Sequence, residues 1–299
     1  MYLLSQLLFV KKNKILLTIL CILGIVELTL VGCTKTNPKE DNHHKEKITV
    51  HKEHSAPAKQ EMATEINSYL KDKGIDFSRI SLAIFDLNED IDYAWNADKD
   101  VVAASTYKIP LAMLWYDKIN QGEISHDATL EVTPEDSQEG ASSLADGQYD
   151  YPLSDLLELS ITQSDNTAAH CLYRNLGSYQ DFKEQATKYS KRSFDEDFYQ
   201  DNNFTAHYME DCIHYLYDHK DDYQELIGFM KEATPGQYLD TQVQISMPQK
   251  YGAVDNVVNA VGYVEAKQPY AIVVFTEGVD DAENVIGDIN AICYKYFNN

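Results

Sequence analysis

Strand-like segments stand at both ends of the folding part of this chain, with helical patterns between them. Residues 80–90, "ISLAIFDLNED", and 91–98, "IDYAWNAD", read as two strands joined as a hairpin at "NED". The β pattern then disappears until "AVGYVE" (260–265) and "YAIVVFTE" (270–277). An amphipathic helix over 61–73, ended by Gly74, precedes the first pair, and a closing helix over 280–296 follows the last. Between them the spacing predicts helices from Ser105, over 153–163, over 167–176 and over 205–219. A chain that begins helix-then-strands and ends strands-then-helix can bring both ends into one sheet. The middle is then a helical insertion, and the fold class is α/β (α+β).

The 299 residues suffice for one large or two modest domains, and a 44% hydrophobic content argues against global disorder. The formal net charge is −23 and is unevenly placed. Residues 1–60 carry nine lysines against five acidic residues, while the rest hold 16 basic against 43 acidic. So acidic a surface argues against nucleic acid as a partner and against electrostatic docking on anionic lipid. The charge is equally explained by solubility. No internal repeat is present.

The N-terminus reads as an export signal. Lys11, Lys12 and Lys14 form a positive region ahead of the apolar run 15–30, which is short for a spanning helix and carries Glu27. The run ends in "LVGC", Leu30 to Cys33, which resembles a bacterial lipobox. The resemblance implies a signal peptide over 1–32, acylation of Cys33, and a location on the extracytoplasmic face of the cell membrane. Residues 33–60 are polar and of mixed charge, and read as a flexible tether. His43, His44, His51 and His54 within it are irregularly spaced, so no metal site is assigned. Cys21 leaves with the signal. That leaves Cys171, Cys212 and Cys293, which read as buried thiols, with one disulfide as the alternative.

The remaining signals are chemical. "AASTYKIPLAMLWY" (103–116) places Ser105 one turn before Lys108, ahead of an apolar run that tolerates Pro110 near its start. A lysine of lowered pKa can take a serine proton. The spacing alone is weak: Ser68 and Lys71 repeat it on a solvated helix face. Ser164-Asp165-Asn166 falls in the break between two helices, where such residues commonly cap backbone groups. Lys250-Tyr251-Gly252, just before the late strands, would by itself be a surface turn.

Together and in this order, the three motifs resemble those of the class A β-lactamases and their penicillin-binding relatives. The likeness extends through "LSDLLELSITQSDNTAAHCLYRNLG" and covers about residues 61–299. It implies an antiparallel sheet flanked by helices, an all-helical lobe, and an active site between them. It assigns Ser105 as nucleophile, Lys108 as its base or relay, and Ser164 as proton donor to the leaving nitrogen. Asn166 would meet the substrate's side-chain carbonyl and Lys108. Lys250 would attract a substrate carboxylate and help keep Lys108 neutral. Gly252 and Ala253 would line the substrate site, with the N–H groups of Ser105 and Ala253 as an oxyanion hole worth roughly 3 kcal/mol.

The family's Lys-Thr-Gly is here Lys-Tyr-Gly, so Tyr251 replaces a hydroxyl that helps hold the β-lactam carboxylate. A Glu-x-x-Leu-Asn loop is not found. "SFDEDFYQDNNF" offers only Asp195, Glu196, Asp197 and Asp201, read as solvated charges. The expected protein is a lipid-anchored serine hydrolase, without cofactor or metal, acting as a monomer on a β-lactam or related amide. The alternatives are a penicillin-binding-like D,D-carboxypeptidase acting on peptidoglycan peptides and a decayed cell-envelope binding protein.

Overall fold

The computed structural model describes residues 49–50, 57–88, 91–138, 142–144, 147–199 and 201–298. The leader, Cys21, Cys33 and the four tether histidines lie outside the described residues. The strands among the described residues are β1 (Thr49–Val50), β2 (Ile80–Asp86), β3 (Ile91–Trp95), β4 (Val101–Val102), β5 (Thr129–Val132), β6 (Tyr149–Pro152), β7 (Asn203–Phe204), β8 (Gln249–Val254), β9 (Val257–Val264) and β10 (Tyr270–Glu277). The helices among the described residues are α1 (Pro57–Asp72), α2 (Lys108–Asn120), α3 (Leu153–Thr162), α4 (Asn166–Arg174), α5 (Tyr179–Ala186), α6 (Glu196–Tyr199), α7 (Ala206–Asp218), α8 (Gln224–Glu232), α9 (Asp240–Val243) and α10 (Ala282–Phe297).

The two ends of the chain do share one sheet. Its strand order is β1-β3-β2-β10-β9-β8, antiparallel throughout, and β2 pairs with β10 without a break from Ile80↔Thr276 to Asp86↔Tyr270. Both faces are covered, so β2, β9 and β10 are apolar almost continuously rather than alternately. Side-chain alternation still divides the core in two. Leu82, Ile84, Ile272 and Val274 pack against Met62, Ile66, Ile286 and Ile289 of the terminal helices α1 and α10. Ala83, Ala271, Val273 and Phe275 face the other way, into the core shared with Met209, Cys212 and Ile213 of α7. Each such aliphatic side chain contributes about 1.5–3 kcal/mol by leaving water.

The helical insertion is built around α2, whose first nine residues, Lys108 to Tyr116, are all buried. An all-round apolar helix must be central, and this centrality is what drives Lys108 into the interior. Several elements depart from the sequence reading. The stretch read as tether contributes β1, whose Val50 pairs with Tyr93, and helix α1 begins at Pro57 rather than residue 61. Proline suits that first position because its missing N–H would be unpaired there anyway. Lys250 lies in strand β8, not in a surface turn, because β9 pairs with it along its whole length. The sequence pattern does not distinguish helices α5 and α8 from loop. Cys171, Cys212 and Cys293 are buried and free. Ser68 Oγ donates to the Thr64 carbonyl on an exposed face, in keeping with a chance motif.

Candidate active site

Ser105 sits not in an α-helix but in a 3-10 turn, Ala104–Tyr107, that feeds into α2. The turn is held from several sides. The Ala103 N–H donates to Asn202 O at 2.9 Å, and Asn202 Nδ2 donates to Ala104 O at 2.9 Å. Asn259 Nδ2 donates to Val102 O at 2.8 Å, and Thr106 Oγ1 to Ala103 O at 2.8 Å. These bonds fix Ala104 at φ 49°, in the left-handed region that an alanine enters only under constraint. Such strain is affordable only where the surroundings over-determine it, and here it presents the next residue, Ser105.

Strand β8 passes directly against this turn. A Cβ on Gly252 would lie 2.6 Å from Ser105 N and 2.9 Å from Ala103 O. Glycine is therefore required for the approach that brings the sheet edge, with Ala253 exposed upon it, beside Ser105. The Ser105 N–H is early in a 3-10 turn, where backbone donors lack intrahelical partners.

The break between α3 and α4 supplies the opposite wall. Asp165, not Ser164 or Asn166, is the cap: its side chain accepts the Ala168 N–H at 2.9 Å. It also accepts from the Ser143 N–H at 2.9 Å and from Ser142 Oγ at 3.2 Å, tying in the preceding connection. With Asp165 occupied, Ser164 adopts φ 56° and turns its side chain to the lysines. Lys108 Nζ donates to Ser164 O at 2.6 Å, to Asn166 Oδ1 at 2.8 Å, and to Ser164 Oγ at 3.3 Å. Lys250 Nζ donates to Ser164 Oγ at 3.1 Å and to Tyr251 O at 2.9 Å.

Both lysines are fully buried. Burial pushes the Lys108 pKa down to about 7, against a smaller opposing pull from Asp165. Burial, and then the neighbouring charge of Lys108, holds Lys250 well below the ordinary lysine range. An amine near pKa 7, one turn from a serine hydroxyl, can accept a proton at neutral pH.

Four of the sequence-singled residues, Lys108, Ser164, Asn166 and Lys250, thus form one hydrogen-bonded cluster, with Ser105 and Gly252 packed beside it. Ser105 Oγ makes no hydrogen bond to Lys108 or Ser164 among the described residues. Lys108 Nζ is instead drawn to the Ser164 carbonyl and to Asn166. The loop acids take no part in the cluster. Asp195 caps α6 through the N–H groups of Asp197 and Phe198, and Glu196 is exposed. Among the described residues, no carboxylate hydrogen-bonds Lys108. Sequence reasoning missed Asn202 and Asn259. Nothing in "DNNF" or in a strand asparagine marks a residue that clamps a turn some hundred positions away or more.

The family model described as the beta-lactamase enzyme family matches residues 61–297. No match is found among curated proteins. Among solved structures, TLA-1 extended-spectrum beta-lactamase is 20% identical with a TM-score of 0.68, covering 80% of this chain and 99% of its own. A class A beta-lactamase from Bacteroides cellulosilyticus is 21% identical with a TM-score of 0.66, covering 82% and 99%. PBP-A is 18% identical with a TM-score of 0.69, covering 79% and 96%, and a variant of it is solved as an acyl-enzyme complex with penicillin G. At these identities the likeness is one of fold.

Proposed function

Because the chain belongs to the beta-lactamase enzyme family, we infer that it is a serine hydrolase forming an acyl-enzyme through Ser105. Its substrate is a β-lactam or related amide. The observation that carries this reading is the convergence of two buried lysines on Ser164, beside the strained turn that presents Ser105. A buried pair of like charges is costly to fold around, and chemistry gives it a use.

Lys108, as the neutral amine, takes the Ser105 hydroxyl proton while Oγ bonds the substrate carbonyl carbon. Hydrogen bonds at active sites commonly tighten only when substrate is bound, so the absent Ser105–Lys108 bond is compatible with this step. The resulting oxyanion is held by the N–H groups of Ser105 and Ala253, which is worth roughly 3 kcal/mol. Collapse breaks the C–N bond, Ser164 passes its proton to the leaving nitrogen, and the lysines resupply Ser164. Asn166 orients the acyl side chain while holding Lys108. Lys250, 3.1 Å from Ser164 Oγ on its other side, completes the relay. Water then cleaves the ester.

A second reading is a penicillin-binding-like hydrolase of peptidoglycan peptides, with slow release of β-lactams. It is favoured by the lack, among the described residues, of a carboxylate bonded to Lys108. The signal and lipobox of the sequence support anchoring through Cys33 on the extracytoplasmic face of the membrane, and a monomer is in keeping with this. Intact-mass measurement after brief and long incubation with a penicillin tests the proposal. An adduct on the native protein, absent in Ser105→Ala, is expected. No adduct with any penicillin or cephalosporin would overturn it.

A further inference from the structure

Tyr251, where this chain leaves the family's Lys-Thr-Gly pattern, has a defined place. Lys250 Nζ lies 4.2 Å from the centre of its ring. The same ring stacks on Tyr238, with centroids 4.7 Å apart and planes 13° from parallel. Tyr238 is itself fixed. Its φ is 51°, in the left-handed region, and its carbonyl accepts the Thr241 N–H at 3.3 Å. That carbonyl stands 2.9 Å from where a Cβ on Gly287 would be, so α10 reaches it only because residue 287 is glycine. The stack is built from both ends.

The capacity of Lys250 is thereby used up. A lysine ammonium has three N–H donors. One goes to Ser164 Oγ and one to Tyr251 O, and the nitrogen lies at cation–π distance from an aromatic ring. In the amine form only two donors exist, and both have protein acceptors. The side chain is fully buried. Burial and Lys108 further weaken its attraction for an anion by disfavouring its charge.

We propose that the Tyr238–Tyr251 stack caps Lys250, so that the site selects acyl donors uncharged beside the scissile bond over those carrying a carboxylate there. The proposal rests on the Ser105 acyl-enzyme reading and names the substrate class of that site. It needs no new covalent step, since the acylation of Ser105 is unchanged and only the neighbouring subsite differs.

Benzylpenicillin and its methyl ester form the test pair, because they share the acyl group and ring and differ only in that carboxylate. The measured quantity is the rate constant for labelling Ser105, followed by intact mass. The native protein should react with the ester at least as fast as with the acid. Tyr251→Thr should raise the acid rate about tenfold or more relative to the ester, and high salt should remove the gain. Tyr238→Ala should shift the ratio the same way, which covers failure of Tyr251→Thr to fold. Tyr251→Phe restores the ring without the hydroxyl and should return the ratio towards the native value. A native protein that prefers the acid tenfold, with the ratio unmoved by Tyr251→Thr or Tyr238→Ala, overturns the cap while leaving the acyl-enzyme reading intact. No labelling of Ser105 by either compound in any variant removes the acyl-enzyme reading, and the cap with it.

Discussion

Lys108 and Lys250 meet at a single hydroxyl: Ser164 Oγ stands 3.3 Å from one ammonium nitrogen and 3.1 Å from the other. Neither lysine has a carboxylate hydrogen-bonded to it among the described residues. Two buried cations sharing one neutral acceptor cannot both keep their protons cheaply. The arrangement is a device for holding a lysine amine unprotonated near neutral pH, and its consequences are measurable.

Acylation should follow the amine form of Lys108. With a pKa of about 7, the acylation rate should fall about tenfold per pH unit well below 7 and level off above it. Lys108→Ala should slow acylation by roughly 10²–10⁴-fold and remove that limb. A rate independent of pH between 5 and 8 in the native protein would exclude Lys108 as the base.

The same residue should leave a mark on stability. Its pKa is depressed in the folded state, so between about 7 and the unfolded value of about 10.4 the unfolded chain binds more protons. The native protein therefore loses stability as pH falls through that window, and the full penalty is present below 7. Measured by urea unfolding, the stability difference between native and Lys108→Met should rise with pH by about 1 kcal/mol per unit between pH 8 and 10. The absolute gain at pH 7 will be less than the pKa shift alone implies, because Met leaves Ser164 O and Asn166 Oδ1 without the lysine donor.

Gly252→Ala should damage both fold and site. Its Cβ would meet two backbone atoms, Ser105 N and Ala103 O, and neither can swing aside as a side chain could. Stability should drop by about 1–3 kcal/mol, and acylation should fall about tenfold or more as β8 is pushed from the turn. Gly228→Ala is the control of opposite sign: nothing lies within 4 Å of its Cβ, and in helix α8 alanine should gain about 0.5–1 kcal/mol. Thermal unfolding and acylation rates on both variants decide the matter.

Much of this was readable from the sequence, for a physical reason. Hydrophobic periodicity located β2, β9, β10 and the terminal helices because covered strands and amphipathic helices leave distinct patterns, as Leu82, Ile84 and Ile66 do. The motif residues Lys108, Ser164 and Lys250 were legible as a set, but not one at a time. Lys250 alone suggested a turn because nothing local says that β9 will pair with it. The clamp at Asn202 and the stack of Tyr238 on Tyr251 were not legible. Each depends on a partner brought near only by the completed fold, and the side chains involved are ordinary polar or aromatic ones.

Membrane attachment is a separate prediction, from the lipobox. Cys33→Ala should leave the precursor unprocessed or release the protein into the soluble fraction. Fractionation with detection of the folded domain reads this directly. Recovery of Cys33→Ala with processed membranes at native levels would remove the lipid anchor, since a protein this acidic has little electrostatic affinity for anionic lipid.

The last prediction concerns release of the acyl group. Acylation needs a nucleophile, a proton acceptor and an oxyanion site, and on the proposed reading the cluster around Ser105 offers each. Deacylation needs a base that activates water on the ester. Asp195 is committed to the N-terminus of α6, Glu196 is exposed, and the same short helix buries Phe198 instead of aiming an acid inward. The two half-reactions should therefore separate: a chromogenic cephalosporin should give a burst of about one equivalent, then a weak steady state. Ser105→Ala should abolish the burst. Glu196→Gln should leave the steady rate within about twofold, as expected for an exposed surface charge. Rapid multiple turnover that collapses in Glu196→Gln would mean that α6 swings its acid into the site when substrate is bound, making this an efficient β-lactamase. A burst followed by silence would instead place the chain, in behaviour, with enzymes that β-lactams inactivate.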